Sequence, residues 1–569
     1  MVGQLAGGAV GQFQEALIEA KYALTTDRYL GLLKEGQRPE RLVQSALDAA
    51  APFLTVPSHI MVNPQGEFMG VNYDHCVLGL RASHRMLPYL PRDHRMLSMA
   101  QAIWYMPQGL DVWDQLLCEF PGHYARDQQK CGDKPGGQTE DGRDRFDGPA
   151  WDAPKQWFQT DHTPIVEGAV SERLRRLPAS IMEGDKQTAY QLALGLRREP
   201  DPAVRPQLES QVLFSGIIDL QETLQGRKMQ NIGHKALRAR ALVHLADLIG
   251  WENSDPLFYC VMPDLACMPR LYTIYDLATQ TLGMNFQQEL YRLKQRNDQP
   301  LVDAERDALV HIVINGTPRE VTEHITELLR QRKAIIQMSD AITMAFCQHV
   351  VEDIWSRRSF FQAGHAYDYC NVVNFWLRDY DHPHQAKAPY FQALFVNDIV
   401  ALNRSFPQDP ANEAYLGDWR EHEAWADRLS LGECLSQLIA VVEQVDAARA
   451  EAITRSYLGR TSERRKLMET LSICSSKFQN DPHQQRNAAT SIEEWELTTA
   501  TKYRDTLLIA WAKYIAGCIK RTTALDCARL YEERLEGSNG TSSVIASTPR
   551  QEQDRGVMGQ TLAKPVADS

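Results

Sequence analysis

Apolar residues along this 569-residue chain recur mostly at three- and four-residue spacing, the period of one buried helical face. In AKYALTTDRYLGLLKEG, Leu24, Leu30 and Leu33 fall on part of one stripe. In RPERLVQSALDAAAPFL, Leu42, Ala46 and Ala49 form another, which Pro52 stops. TAYQLALGLRRE, LVHIVINGTPREVTEHITELLRQ, DRLSLGECLSQLIAVVEQV and YRDTLLIAWAKYIAGCIK read the same way. Long alternating segments are missing, so at most a token sheet is expected. The pattern predicts an all-α fold, an irregular α-α array of helical hairpins.

Two stretches break the period. Residues 126–157 are rich in Gly, Asp, Pro and Gln, which predicts a mobile loop. The tail, residues 537–569, has too little apolar content to offset its ordering entropy, which predicts disorder. The expected organisation is N-terminal hairpins over 12–125, the loop over 126–157, a central helical body over 158–456, C-terminal hairpins over 457–536 and the tail.

Composition narrows the partners. With 61 basic against 73 acidic residues the net charge is −12, which argues against general binding to a phosphate backbone. The basic runs from Arg227 to Arg240 and from Arg460 to Lys466 read as solvated helix faces. No apolar run reaches membrane-spanning length and no secretory leader is recognisable. Eleven scattered cysteines without paired spacing suit a reducing compartment, so a cytoplasmic protein is expected.

The familiar catalytic fingerprints are missing: no GxSxG elbow, Walker loop, HExxH or Rossmann glycine set. What stands out is a weak internal echo. Asp74-His75, Gly233-His234 and Gly364-His365 each open a predicted helix. A second apolar segment (QAIWYM, FYCVM and FQALFV) follows 24 to 26 residues after each histidine. This is one hairpin used three times, at unequal intervals and so not a fixed-period solenoid. A helix N-terminus opposes the imidazolium form, and neutral imidazole is what a metal accepts. Three such histidines brought together would suit iron or another divalent metal. Asp74, Asp368 and Glu167 are the carboxylates placed to assist as acids, bases or ligands. The competing reading is that each histidine caps its helix and nothing more. His84 and His244 fall off the lines of His75 and His234, and His382 and His384 sit in a Pro-broken stretch that reads as a surface loop.

The segment NIGHKALRARALVHLADLIGWENSDPLFYCVM resembles a large, mostly uncharacterised family of helical bacterial proteins with a GHKAI…GW…DP segment in the same place. YDHCVLGLRASHRMLPYL and FFQAGHAYDYCNVVNFWL are similar to that family's other histidine-opened helices, and Tyr457 to Glu536 to its C-terminal region, which ends in a TPR-like helix pair. Some members look joined to Rieske-type iron–sulfur domains, and the histidine helices are similar to those of questin-oxidase-like proteins. The resemblance implies oxidation of a natural-product-like small molecule, with electrons from an external donor because no Rieske signature is present. In the C-terminal region LSICSSKFQNDPHQQRN stands where the family carries several histidines, and only His483 remains nearby.

Two functions stay open on the sequence. One is a metal-dependent oxidase or oxygenase acting on a small organic molecule, with His75, His234 and His365 as ligands. The other is a non-catalytic helical scaffold that presents its hairpins to a protein partner.

Overall fold

A computed structural model describes residues 5–18, 22–51, 61–62, 68–69, 75–91, 94, 96–103, 106, 161–220, 233–266, 298–406, 410–412, 414–478, 482–518 and 522–536. Asp74, the 126–157 segment and the tail lie outside them. The fold is all-α, an array of helices in hairpin succession, with one antiparallel two-residue pair, Met61–Val62 against Phe68–Met69. Each segment read above as helical contains a helix within its described residues, and LVHIVINGTPREVTEHITELLRQ forms parts of two, Asp303–Asn315 and Pro318–Arg330. In AKYALTTDRYLGLLKEG the buried side is set by Thr25, Tyr29, Leu30 and Leu32, while Leu24 faces solvent.

Local chemistry fixes several boundaries. Thr317 and Glu320 form a reciprocal capping box at the start of Pro318–Arg330, as Ser430 and Glu433 do for Leu431–Glu443. Each box satisfies two backbone N–H groups that the first helical turn leaves without partners.

At the centre four helices stand side by side: His75–Met86, His234–Ile249, Phe360–Asp379 and His483–Leu497. The first packs on the second and fourth, and the third packs on the same two, so they close a ring. Residue order shows that neighbours run parallel. His75 meets His483, while Arg85 further along meets Glu496. His75 meets His234, while His84 further along meets His244. Parallel neighbours cannot be joined by a tight turn. Each of three ring helices is followed by a helix packed against it: Asp255–Ala266, Ala388–Ser405 and Arg504–Gly517. The last belongs to a fourth hairpin, beyond the three read from sequence.

One continuous apolar cluster runs from Phe13 through the ring to Tyr531. The boundary expected between 456 and 457 falls inside the helix Ala447–Arg460. All eight cysteines of the described residues are buried, as small hydrophobes. No described helix is long and apolar enough to cross a membrane.

The basic run ending at Arg240 corrects the solvated-face reading. Lys235, Arg238 and Arg240 are buried and paired with Asp219, Asp264 and Glu493 respectively. They point between helices because the His234 helix is packed on several sides, leaving no solvent face for them.

A candidate metal centre

The three histidines singled out in the sequence converge. The Nε2 atoms of His75 and His234 are 3.5 Å apart, and those of His365 and His234 are 2.9 Å apart. One nitrogen from each of the three lies within 4.8 Å of the others, the one such grouping among the described residues. His483 completes a square of imidazoles. Ring centroids are 4.7 Å apart for His75 and His483, 5.2 Å for His483 and His365, 4.8 Å for His365 and His234, and 5.3 Å for His234 and His75. Each histidine comes from a different ring helix, and none is more than 7% exposed.

Local structure places them. His75, His234 and His483 are the first residues of their helices. Gly233 turns the chain into the His234 helix with φ +94°, and a Cβ there would press on the Tyr369 side chain. His365 corrects the expectation of a helix start: its helix begins at Phe360, so it lies in the second turn. The cause of neutrality also differs from the expected helix-terminus effect. Burial lowers the pKa of His75 most, followed by His483, Arg486, His234 and His365 around it. His75 is therefore a neutral imidazole at physiological pH.

These residues fit a metal ion. With nitrogen–metal bonds of about 2.1 Å, two ligand nitrogens lie about 3.0 Å apart at a right angle and about 3.4 Å at the tetrahedral angle. The observed 2.9 and 3.5 Å bracket that range, and the third pair, within 4.8 Å, has to close by up to about 1.4 Å to reach the tetrahedral spacing. A neutral imidazole nitrogen carries one proton or one lone pair. The Nε2 of His234 therefore cannot bond both flanking Nε2 atoms in the ordinary way, whereas a cation between them is met by all three.

The carboxylates fall out differently. Asp368 is buried, but it accepts from Arg486 at 2.8 Å and from the Thr490 hydroxyl at 2.9 Å, and so faces the guanidinium. Burial raises its pKa, against the pull of Arg486 and Thr490. Arg486 in turn reaches the Nε2 of His75 at 3.2 Å. Asp368 thus positions a side chain that touches the cluster. Glu167 does not join the site: it is exposed, ahead of the helix Val170–Glu183, and the cluster is sealed inside the ring.

Among the other histidines, His84 and His244 stay outside the cluster as their spacing implied, and His382 departs from its reading. His84 Nδ1 and His244 Nε2 pair at 2.9 Å, because parallel helices bring together residues nine and ten positions past the aligned histidines. His382 is buried rather than on a surface loop, with its ring 4.4 Å from Phe214 and 5.2 Å from Trp376.

The fourth histidine was present in the sequence. Leu507 opens an apolar run 24 residues after His483, the spacing of the other hairpins, but Pro-His in place of Gly-His or Asp-His hid the match. A deeper repeat went unread too. His75-x-x-Leu78-x-x-Arg81 and His234-x-x-Leu237-x-x-Arg240 carry the same residues at the same steps.

Comparison with models of known protein families, with curated proteins and with solved structures returned no match. What the chain does has to be read from its own residues.

Proposed function

We propose that this chain is a metal-dependent enzyme, an oxidase or oxygenase acting on a small organic molecule, with His75, His234 and His365 holding iron or another divalent metal. The observation that carries the reading is the convergence of three neutral-type ligand nitrogens from three distant parts of the chain. A metal held by three protein ligands keeps positions free for substrate and supplies Lewis acidity or, if redox-active, electron exchange with oxygen. The chain's own contributions are separable. The ring helices exclude bulk water from the imidazoles, and Asp368, which accepts from the Thr490 hydroxyl, holds Arg486 beside His75. His483 stands beside His75 and His365 as a fourth imidazole able to take or give a proton. The oxidative character rests on the family resemblance, which also implies an external electron donor.

The test is direct titration of the full chain with Fe(II) under anaerobic conditions, and with Co(II) or Zn(II). The expected result is one ion per chain, lost in His234→Ala while the helical circular dichroism is kept. A wild-type chain that takes up no ion, or a His234→Ala variant that binds as well, would overturn the metal site. The scaffold reading, with histidines contributing only to stability, would then stand in its place.

A further inference from the structure

Directly beneath the imidazoles, inside the same ring, lies a small cavity of about 20 Å³, so an occupant larger than a water has to displace some of its lining. Its walls are read off by helical steps. One turn below the four histidines stand Leu78, Leu237, Asp368 and Arg486; the next turn supplies Arg81, Arg240, Asn371 and Thr490. Three guanidiniums therefore face one interior space, each at least nine-tenths buried.

Their carboxylate partners are shared. Asp368 serves Arg486. Glu493, outside the cavity wall, is 2.5 Å from Arg81, 3.2 Å from Arg85 and 3.5 Å from Arg240. Arg85 has Glu496 besides. Among the described residues two carboxylates, Asp368 and Glu493, form ion pairs with these three guanidiniums, and Asp379 adds to the pull on Arg240. The buried Nε atoms of Arg81 and Arg240 make no hydrogen bond among the described residues. Arg240 lies flat on Phe375, with its Cζ 3.3 Å from the ring centre, a contact that holds the guanidinium but accepts none of its N–H groups in plane. Burial depresses its pKa to about 10, the mark of a cation short of counter-charge, yet it remains charged at neutral pH.

We propose that this cavity is a carboxylate-binding site, in which Arg81, Arg240 and Arg486 receive the acid group of a small organic acid. Planar guanidiniums match a carboxylate by paired N–H donors, and its negative charge adds to the counter-charge they share. That the carboxylate belongs to the substrate of a metal enzyme rests on the reading above; the site itself does not. The two are coupled by charge. Three neutral imidazoles bring no negative charge to a divalent ion, and three of their helices point their positive N-termini at it. A carboxylate one turn away offsets this. A metal on His75 also removes the lone pair that Arg486 now faces, turning that guanidinium toward the cavity.

The experiment is calorimetric titration of the full chain with sodium acetate and with its neutral isostere acetamide, at constant ionic strength, metal-free and Co(II)-loaded. Acetate is expected to bind and acetamide not. Arg486→Gln, which keeps a donor near Asp368 and His75, should weaken acetate at least tenfold, and Co(II) should tighten it several-fold, with acetate tightening Co(II) by the same factor. Equal responses to acetate and acetamide would overturn the site, and so would chloride or nitrate competing as well as acetate. If Arg486→Gln does not fold, the acetate–acetamide contrast in the wild type still decides. Acetate bound by a chain that takes no Co(II) keeps the carboxylate site and removes the metal reading; Co(II) bound without the contrast does the reverse.

Discussion

Gly364 precedes His365 in a helix interior, where glycine costs about 1 kcal/mol relative to alanine. The reason for it is across the interface. A Cβ there would run into the hydroxyl of buried Tyr514, with the ring carbon behind it at 2.9 Å. Phe360, one turn before Gly364 on the same helix, also packs on Tyr514, edge to face at 5.4 Å. Neither partner can step aside, so Gly364→Ala should destabilise the protein by about 1–3 kcal/mol through overpacking. Adding Tyr514→Phe removes the nearest atom and should recover part of that loss. Urea unfolding of the three chains measures both terms. A Gly364→Ala midpoint equal to wild type would show that this approach is looser than described.

Glu493 acts between elements. It lies on the His483 helix and holds Arg81 and Arg85 of the His75 helix and Arg240 of the His234 helix. Burial alone would raise its pKa, but the arginines outweigh that and hold it at about 2. Removing the charge leaves buried guanidiniums uncompensated, so Glu493→Gln should cost about 3–5 kcal/mol at neutral pH. Exposed Glu323, paired with Arg319 on one helix, should cost under about 1 kcal/mol when changed the same way. Comparable losses in the two variants by chemical denaturation would contradict the account. At this scale the sequence was informative about helices and about which histidines matter, because a 3.6-residue period and a repeated polar-His start are local signals. The ring was not legible. Whether Lys235 or Arg240 faces water depends on how many neighbours its helix has, and spacing along one helix carries no count of neighbours. The repeated His-Leu-Arg steps at 75–81 and 234–240 were visible, but only parallel packing turns them into two layers of one cavity.

Over the whole molecule, buried histidines set a pH limit that no single helix would impose. Burial is the largest cause lowering the pKa of His84, His244 and His349; for His349 it prevails over the opposing pull of Asp353. The sign follows from comparing the two states. Each stays neutral to a lower pH in the folded chain than in the unfolded chain, where it takes up a proton below about pH 6.5. The unfolded state then binds more protons, so the stability is fully present above that pH and is lost as pH falls below it. Each group contributes at most about 1.4 kcal/mol per pH unit, and only between its unfolded and its folded pKa. The melting temperature should therefore drop steeply between pH 7 and pH 5.5, well above the range where carboxylates titrate. Phe or Leu at both 84 and 244 removes two of the three groups and should flatten the profile over that interval, whatever it does to stability at pH 7.5. A wild-type melting temperature that stays level from pH 7.5 to 5.5 would mean that these imidazoles reach water more easily than their packing allows.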